Sequence, residues 1–376
     1  MNDFYIGLIM GQNQSKQTQE LVENIETGLK LNGVKYTYVS DVKSDVELRE
    51  MGISMLLGVN ELGPHIYGNL TYTAFPFVFW GFQEPLSYYT LYRSFSTKTN
   101  LIVLSKSVND ISYLSTMFEK IRCSQYSPGY DPRQFVEEAP EKEYDLVYIG
   151  FITDIDEYEK EMKDNLSADA YEIFSEIVDS SCRNPEASLF DLFRNYAKVY
   201  RFDETDFELY QDVYNKIKEH ISSLIKLKVL ENMDGNEVKI WGPKTWEKYT
   251  GKNMQYMGEE PEKGYIDILR KSKIALNIDN VRDLMSITPY CLNVMASNTL
   301  LLTNNNISMQ KYFPRSFYNI YYDPNKNLKL SEMINHYLKN EDDRLEIALR
   351  LKTKVENEHT WQVRIRQLVA MFTGVN

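Results

Sequence analysis

The segment ALNIDNVRDLMSITPY, residues 275–290, concentrates groups that suit an oxyanion. Asn277 and Asp279 close an apolar run, and Arg282 follows in a polar loop where a guanidinium can fork onto a diphosphate. Thr288 is a good helix N-cap and Pro289 a good first-turn residue, so a helix start is expected there. The unpaired N–H groups and partial positive charge of such a start favour a phosphate. A second stretch, KIWGPKTWEKYTGKN at 239–253, sets Lys244, Trp246 and Lys248 after a Gly-Pro turn. A ring beside cations suits a nucleotide base and its phosphates, and a surface loop anchored by a Trp reads equally well.

Other strand-to-helix loops carry acid–base candidates. In FPFVFWGFQEPLSYY, 75–89, Glu84 stands where a general base for a hydroxyl would sit, although an acid is also favoured there by a helix dipole. His65, in ELGPHIYG, is a base or hydroxyl binder by the same placement. TDID, 153–156, offers Asp154 and Asp156 as a pair able to hold a divalent ion against a diphosphate, while Asp is also a frequent N-cap. The first loop, MGQNQSKQ at 10–17, has one glycine, so the GxGxxG dinucleotide fingerprint is absent. Gly11 and Asn13 fit either a ligand approaching the backbone or a plain turn.

These loops need a scaffold. A chain of 376 residues is long enough for two domains. The formal charge of 42 − 54 = −12 argues against non-specific nucleic-acid binding and leaves room for one local basic pocket. Three scattered cysteines and four scattered histidines point to neither a disulfide framework nor a His/Cys metal site, so no metal is expected. No signal-like or membrane-spanning run is apparent, which suggests a reduced cytoplasmic compartment, with peripheral membrane association left open. Apolar runs at 3–10, 34–40, 53–59, 75–81, 100–105 and 122–127 read as buried parallel strands alternating with helices. A Pro-rich acidic linker at 127–145 follows, then a second alternation at 144–152, 238–243, 253–258, 273–279, 298–304 and 318–323. Residues 156–232 interrupt it with a charged, helix-periodic insertion, read as a packing subdomain or as a lid or acceptor-binding element. The tail from Ser331 is nearly all helical. The expected fold class is α/β, two doubly wound Rossmann-like domains facing a cleft.

The second half also resembles a known family. YDLVYIGF, VKIWGPKTWEK, YMGEEPEKGYIDILRKSKIALNI, YCLNVMASNTLLLTNN and DDRLEIALRLKTKVENEHTWQVRIRQL follow the CgeB-like, spore-maturation-type glycosyltransferases in order and spacing over roughly 144–372. FWGFQEP resembles that family's strand-end tryptophan and acid. The resemblance implies a GT-B fold: an acceptor-side domain at 1–143, a nucleotide-sugar domain at 144–355, and a C-terminal helix at 356–376 crossing back near His359, Trp361 and Arg364. It implies transfer of a sugar from a UDP- or GDP-sugar to a hydroxyl of a glycan or protein, with no metal required. Arg282 and Lys244 are then expected at the diphosphate, with Ser286, Thr288 and Tyr290 adding donors. Trp246, Asn277 and Asn293 become candidates for base and ribose, and Glu84 or His65 for the base of an inverting reaction. Where the family often has Arg, Phe-Glu and Gly, this chain has Tyr290, Leu292-Asn293 and Asn298, the last tolerable because Asn enters the left-handed region. The alternatives are a GT-B-shaped sugar-nucleotide epimerase and a non-catalytic nucleotide-sugar-binding scaffold.

Overall fold

The computed structural model describes residues 4–11, 14–39, 44–60, 62, 66, 69–82, 88–98, 100–135, 140–184, 187–199, 207–233, 235–251, 253–261, 264–279, 286–305 and 307–374. The chain divides into two compact units. The first comprises Met1–Arg133, Ser286–Pro289 and Lys354–Asn376, and the second Gln134–Met285 and Tyr290–Thr353.

The first unit runs β1 (Tyr5–Ile9), α1 (Lys16–Leu31), β2 (Lys35–Val39), α2 (Asp45–Glu50), β3 (Met55–Val59), β4 (Phe77–Gly81), α3 (Tyr89–Phe95), β5 (Leu101–Ser105), α4 (Val108–Met117) and β6 (Arg122–Gln125). Its strands form one parallel sheet of order β2-β1-β3-β4-β5-β6. β3 and β4 are buried along their whole length, as expected of strands covered on both faces.

The second unit runs β7 (Tyr144–Ile149), α5 (Ile155–Asn165), α6 (Ala168–Arg183), α7 (Leu189–Val199), α8 (Phe207–Glu231), β8 (Val238–Trp241), β9 (Met254–Gly258), α9 (Ile266–Arg270), β10 (Ser272–Asn277), α10 (Pro289–Ala296), β11 (Leu300–Asn304), α11 (Ile307–Tyr312), β12 (Tyr321–Tyr322), α12 (Asn327–Lys339) and α13 (Glu341–Glu358). Its parallel sheet has the order β12-β11-β10-β7-β8-β9. The α/β class expected from the strand alternation is therefore the observed one, with the helices α5 to α8 standing between β7 and β8.

The remaining helix, α14 (Trp361–Thr373), packs in the first unit. Thr360 caps it by accepting from the Val363 N–H at 3.2 Å. It lies on α1 because Gly28 has no side chain: a Cβ there would meet the Trp361 carbonyl oxygen at 2.8 Å. Trp361 is 5% exposed and meets Trp80 edge-on at 5.6 Å between centroids. Tyr130 and His359 join the preceding segment by a backbone bond of 2.9 Å. Burial, with Arg364 and Lys354 beside it, pushes the His359 imidazole down to about 3. It is therefore neutral, as its Nδ1 must be to accept from the Arg364 guanidinium.

Candidate functional site

The second sheet changes its direction of growth at β7, with β8 and β9 on one side and β10, β11 and β12 on the other. Ligands of open α/β sheets bind beyond the carboxyl ends of strands at such a switch. The loops that leave β7, β8 and β10 therefore frame the candidate site.

The β7 and β8 loops are in direct backbone contact. Gly150 donates to the Trp241 carbonyl at 3.1 Å, and Gly242 donates to the Gly258 carbonyl at 3.1 Å. Trp246 is fully buried, and its indole N–H donates to the Gly150 carbonyl at 2.8 Å. That ring has no open face for a base, so the base contact expected of Trp246 is corrected to a positioning role: it clamps one loop to the other. Lys244 opens the 3-10 turn Lys244–Tyr249, is exposed, and has no ion-pair partner among the described residues.

The insertion fixes the β7 loop from the far side. Lys226 of α8 donates to the Phe151 carbonyl at 2.7 Å, and the Ser223 hydroxyl accepts from the Thr153 N–H at 3.1 Å. Asp154 and Asp156 are not an open pair. The Lys248 ammonium lies 2.6 Å from Asp154 and 2.7 Å from Asp156, while Asp154 also caps α5 by accepting from Glu157 at 3.2 Å. The Lys248 hydrogen bond holds the Asp154 carboxyl below its usual range. Among the described residues no group of three His, Cys, Asp or Glu side chains is arranged to hold a metal.

The carboxyl ends of β10 and β11 carry a buried polar network. Asn277 is 7% exposed and Asp279 3% exposed. Asn277 Nδ2 donates to Asp279 and, at 2.9 Å, to the Thr303 hydroxyl. The Asp279 N–H donates to Asn304 Oδ1 at 2.9 Å, and the Tyr322 hydroxyl donates to the Asn277 carbonyl at 2.8 Å. Burial and the nearby Asp279 charge push the Tyr322 and Tyr148 phenols up, so both stay protonated. Such a network costs desolvation but orients its members uniquely when every group is paired. Among the described residues Asn277 Oδ1 has no partner, which leaves it as an acceptor.

The expected helix start is observed, with α10 at Pro289–Ala296. Ser286 is buried and Thr288 half-buried, and both group with the first unit. Tyr290 donates to the Leu276 carbonyl at 3.1 Å, and burial raises its phenol well above the ordinary value. Asn293 donates to the Tyr265 hydroxyl at 2.8 Å, and its Oδ1 has no partner among the described residues. Asn298 has φ of 52°, the left-handed conformation expected of it after the helix. Within the second unit Lys244 and Trp246 follow β8, Asn277 ends β10, and Tyr290 and Asn293 lie in α10. Arg282, Glu84 and His65 lie outside the described residues. The Lys248–Asp154 pair and the Asn277–Thr303 bond were missed from sequence, since their members stand 94 and 26 positions apart.

Comparison with known proteins fits this geometry. Residues 224–370 match the glycosyl transferase-like family model. No curated protein matches the chain by sequence. In structure the chain is similar to sucrose-phosphate synthase from Thermosynechococcus elongatus, with TM-score 0.57, 10% identity, and 99% and 98% of the two chains covered. It is similar to T4 phage BGT in complex with its UDP-glucose substrate, with TM-score 0.53, 11% identity, and 99% and 100% covered. It is also similar to an alpha-glucosyltransferase in complex with UDP and a 13-mer DNA, with TM-score 0.54, 9% identity, and 98% and 99% covered. Among the described residues no helix is long and apolar enough to cross a membrane. The chain has the GT-B fold, its residues 224–370 form a glycosyl transferase-like domain, and its enzyme class is glycosyltransferase.

Proposed function

We propose that the protein moves a sugar from a UDP- or GDP-sugar to a hydroxyl of a glycan or protein, without a metal, as a CgeB-like transferase. The observation that carries this reading is where the family match falls. Residues 224–370 contain β8, β10, β11 and α10, and so most of the loops that frame the switch. Lys244 serves the diphosphate as a cation with no competing carboxylate among the described residues. The start of α10 adds N–H donors and the positive end of the helix dipole, and Asn277 and Asn293 offer their Oδ1 atoms to ribose hydroxyls. Charge that develops on the leaving diphosphate is stabilised by these fixed groups. Arg282 adds a guanidinium to the same task, and Glu84 or His65 takes the acceptor proton if the reaction inverts. A solved structure of similar fold holds DNA, but a chain of net charge −12 repels a polyphosphate, which favours the glycan or protein acceptor.

Lys244→Ala should weaken UDP and GDP binding about tenfold, the worth of one charge-assisted hydrogen bond. Calorimetric titration of the full chain checks this, and an unchanged Kd removes Lys244 from the donor site. Activity is also expected to survive a chelator, because Lys248 already supplies the cation between Asp154 and Asp156. Release of nucleoside diphosphate from a nucleotide-sugar panel, measured with and without chelator, is the assay. Loss of turnover that Mn²⁺ restores contradicts the metal-independent reading. Isomerised donor without release favours the epimerase, and donor binding without any turnover favours the scaffold.

A further inference from the structure

The helical insertion is anchored through α8, which packs on all three of its companions. The buried His220 ring lies 5.8 Å from that of Tyr158 in α5 and 5.3 Å from that of Phe174 in α6. Tyr214 meets Phe193 of α7 at 5.3 Å between centroids. Segments that open and close have few buried apolar contacts, whereas α8 also buries Ile217, Ile221 and Val229 completely.

One face of α8 holds the loop that leaves β7. Lys226 is 4% exposed, and its ammonium donates to the Phe151 carbonyl at 2.7 Å. Ser223, three positions earlier and so on the same face, is 1% exposed. It donates to the Glu219 carbonyl at 3.0 Å and accepts from both the N–H and the hydroxyl of Thr153, at 3.1 and 2.8 Å. The same loop anchors the turn after β8. The Gly150 carbonyl, next to Phe151, accepts from the Trp246 indole at 2.8 Å, and the Ile155 N–H donates to the Tyr249 hydroxyl at 2.8 Å. Lys244 opens the 3-10 turn that contains both Trp246 and Tyr249. Burying a charge costs far more than burying an apolar chain of similar length, so a methionine would fill the place of Lys226 at less cost. A methionine could not fix a carbonyl in position.

We propose that Lys226 is a positioning residue for the nucleotide-sugar site, and that the insertion is a fixed brace on the donor loop rather than a lid. Lys226 is buried inside the protein and does not touch the donor. It sets where residues 150 and 151 stand, and through the Gly150–Trp246 bond it sets where Lys244 meets the diphosphate. Ser223 shares the task. The effect on the donor rests on the transferase reading above. The brace rests on the bonds from α8 alone.

Amide hydrogen exchange and UDP titration of the full chain, at a temperature where every variant is folded, test the proposal. In the free protein Lys226→Met should speed exchange across 150–155 and 244–249 about fivefold, the worth of one hydrogen bond. It should weaken UDP binding by about the same factor. Lys226→Arg, which keeps a donor, should restore most of both, and Ser223→Ala should change both about twofold. Arg344→Met is the control for a merely structural loss. Arg344 is 3% exposed and donates to the Tyr337 carbonyl at 2.9 Å, and its charge reaches Lys142, ahead of the amino end of β7. That variant should melt lower yet keep the UDP affinity and the exchange of both segments. Unchanged exchange in Lys226→Met overturns the brace. Faster exchange with unchanged UDP affinity, or an equal loss of affinity in Lys226→Met and Arg344→Met, overturns the positioning role. If UDP does not bind the parent chain, the donor reading fails by itself, and exchange still decides the brace.

Discussion

Gly242→Ala is expected to lower the melting temperature of the C-terminal unit by roughly 6–12 °C and to weaken nucleotide binding with it. A Cβ on residue 242 would lie 2.2 Å from the Gly150 carbonyl oxygen and 2.9 Å from the Trp246 indole. Neither neighbour can yield. One is backbone, and the other is a fully buried ring already donating to that same carbonyl. The loops after β7 and β8 must therefore separate, which costs about 3 kcal/mol as overpacking of a closed site. Lys244 moves with its loop, so the affinity falls as well. Differential scanning calorimetry of the full chain checks the first effect and UDP titration the second. Gly251→Ala is the matched control, since a Cβ there meets nothing within 4 Å. Equal melting of the two variants would show that the loop contact is not tight.

Trp361→Ala should cost the N-terminal unit about 3–5 kcal/mol, the usual range for deleting a buried aromatic. Three surfaces lose their partner at once. Trp80 loses an edge contact at 5.6 Å and Phe82 a tilted one at 6.5 Å between centroids. The Gly129 backbone, so close that a Cβ would stand 2.9 Å from the indole, loses the ring that covers it. The melting temperature of that unit should drop by roughly 6–20 °C, and Trp361→Phe should recover part of it. A loss under about 1 kcal/mol would mean that α14 is held by its backbone bonds rather than by this ring.

The sheets were legible in the sequence because burial on both faces writes itself as continuous apolar runs. NTLLLTN and FPFVFWG could hardly be anything else, and each contains an observed strand, Leu300–Asn304 and Phe77–Gly81. The carboxyl ends were read too long. The run 144–152 yields a strand that stops at Ile149, and 238–243 one that stops at Trp241. Beyond Ile149, Ile152 remains buried although it stands outside the ladder. Hydropathy does not separate a strand from an apolar loop that roofs it.

The positions of the candidate residues in the fold were legible, and their surroundings less so. Lys244 and Asn277 stand at the carboxyl ends of β8 and β10, as their place in strand-to-helix loops predicted, while Asn293 lies within α10. Trp246 was misjudged because a Trp beside two lysines looks the same in sequence whether its ring faces a ligand or fills the space under a glycine. The pairing of Lys248 with Asp154 and Asp156 depends on two loops that only the sheet brings together. A DxD motif states the supply of negative charge, not whether a side chain of the same protein has already met it.

The route of the chain into α14 sets the order in which the molecule can be finished. Asn32 Nδ2 donates to the Gln362 carbonyl at 2.8 Å, across 330 positions of sequence. Everything assigned to the C-terminal unit precedes Lys354, and so leaves the ribosome before α14 does. The face of α1 that receives it, with Gly28 at its centre, waits uncovered while more than half of the protein is made. The half synthesised first is thus the half completed last. Its exposed helix face during that interval is the point at which a nascent chain would call on a chaperone.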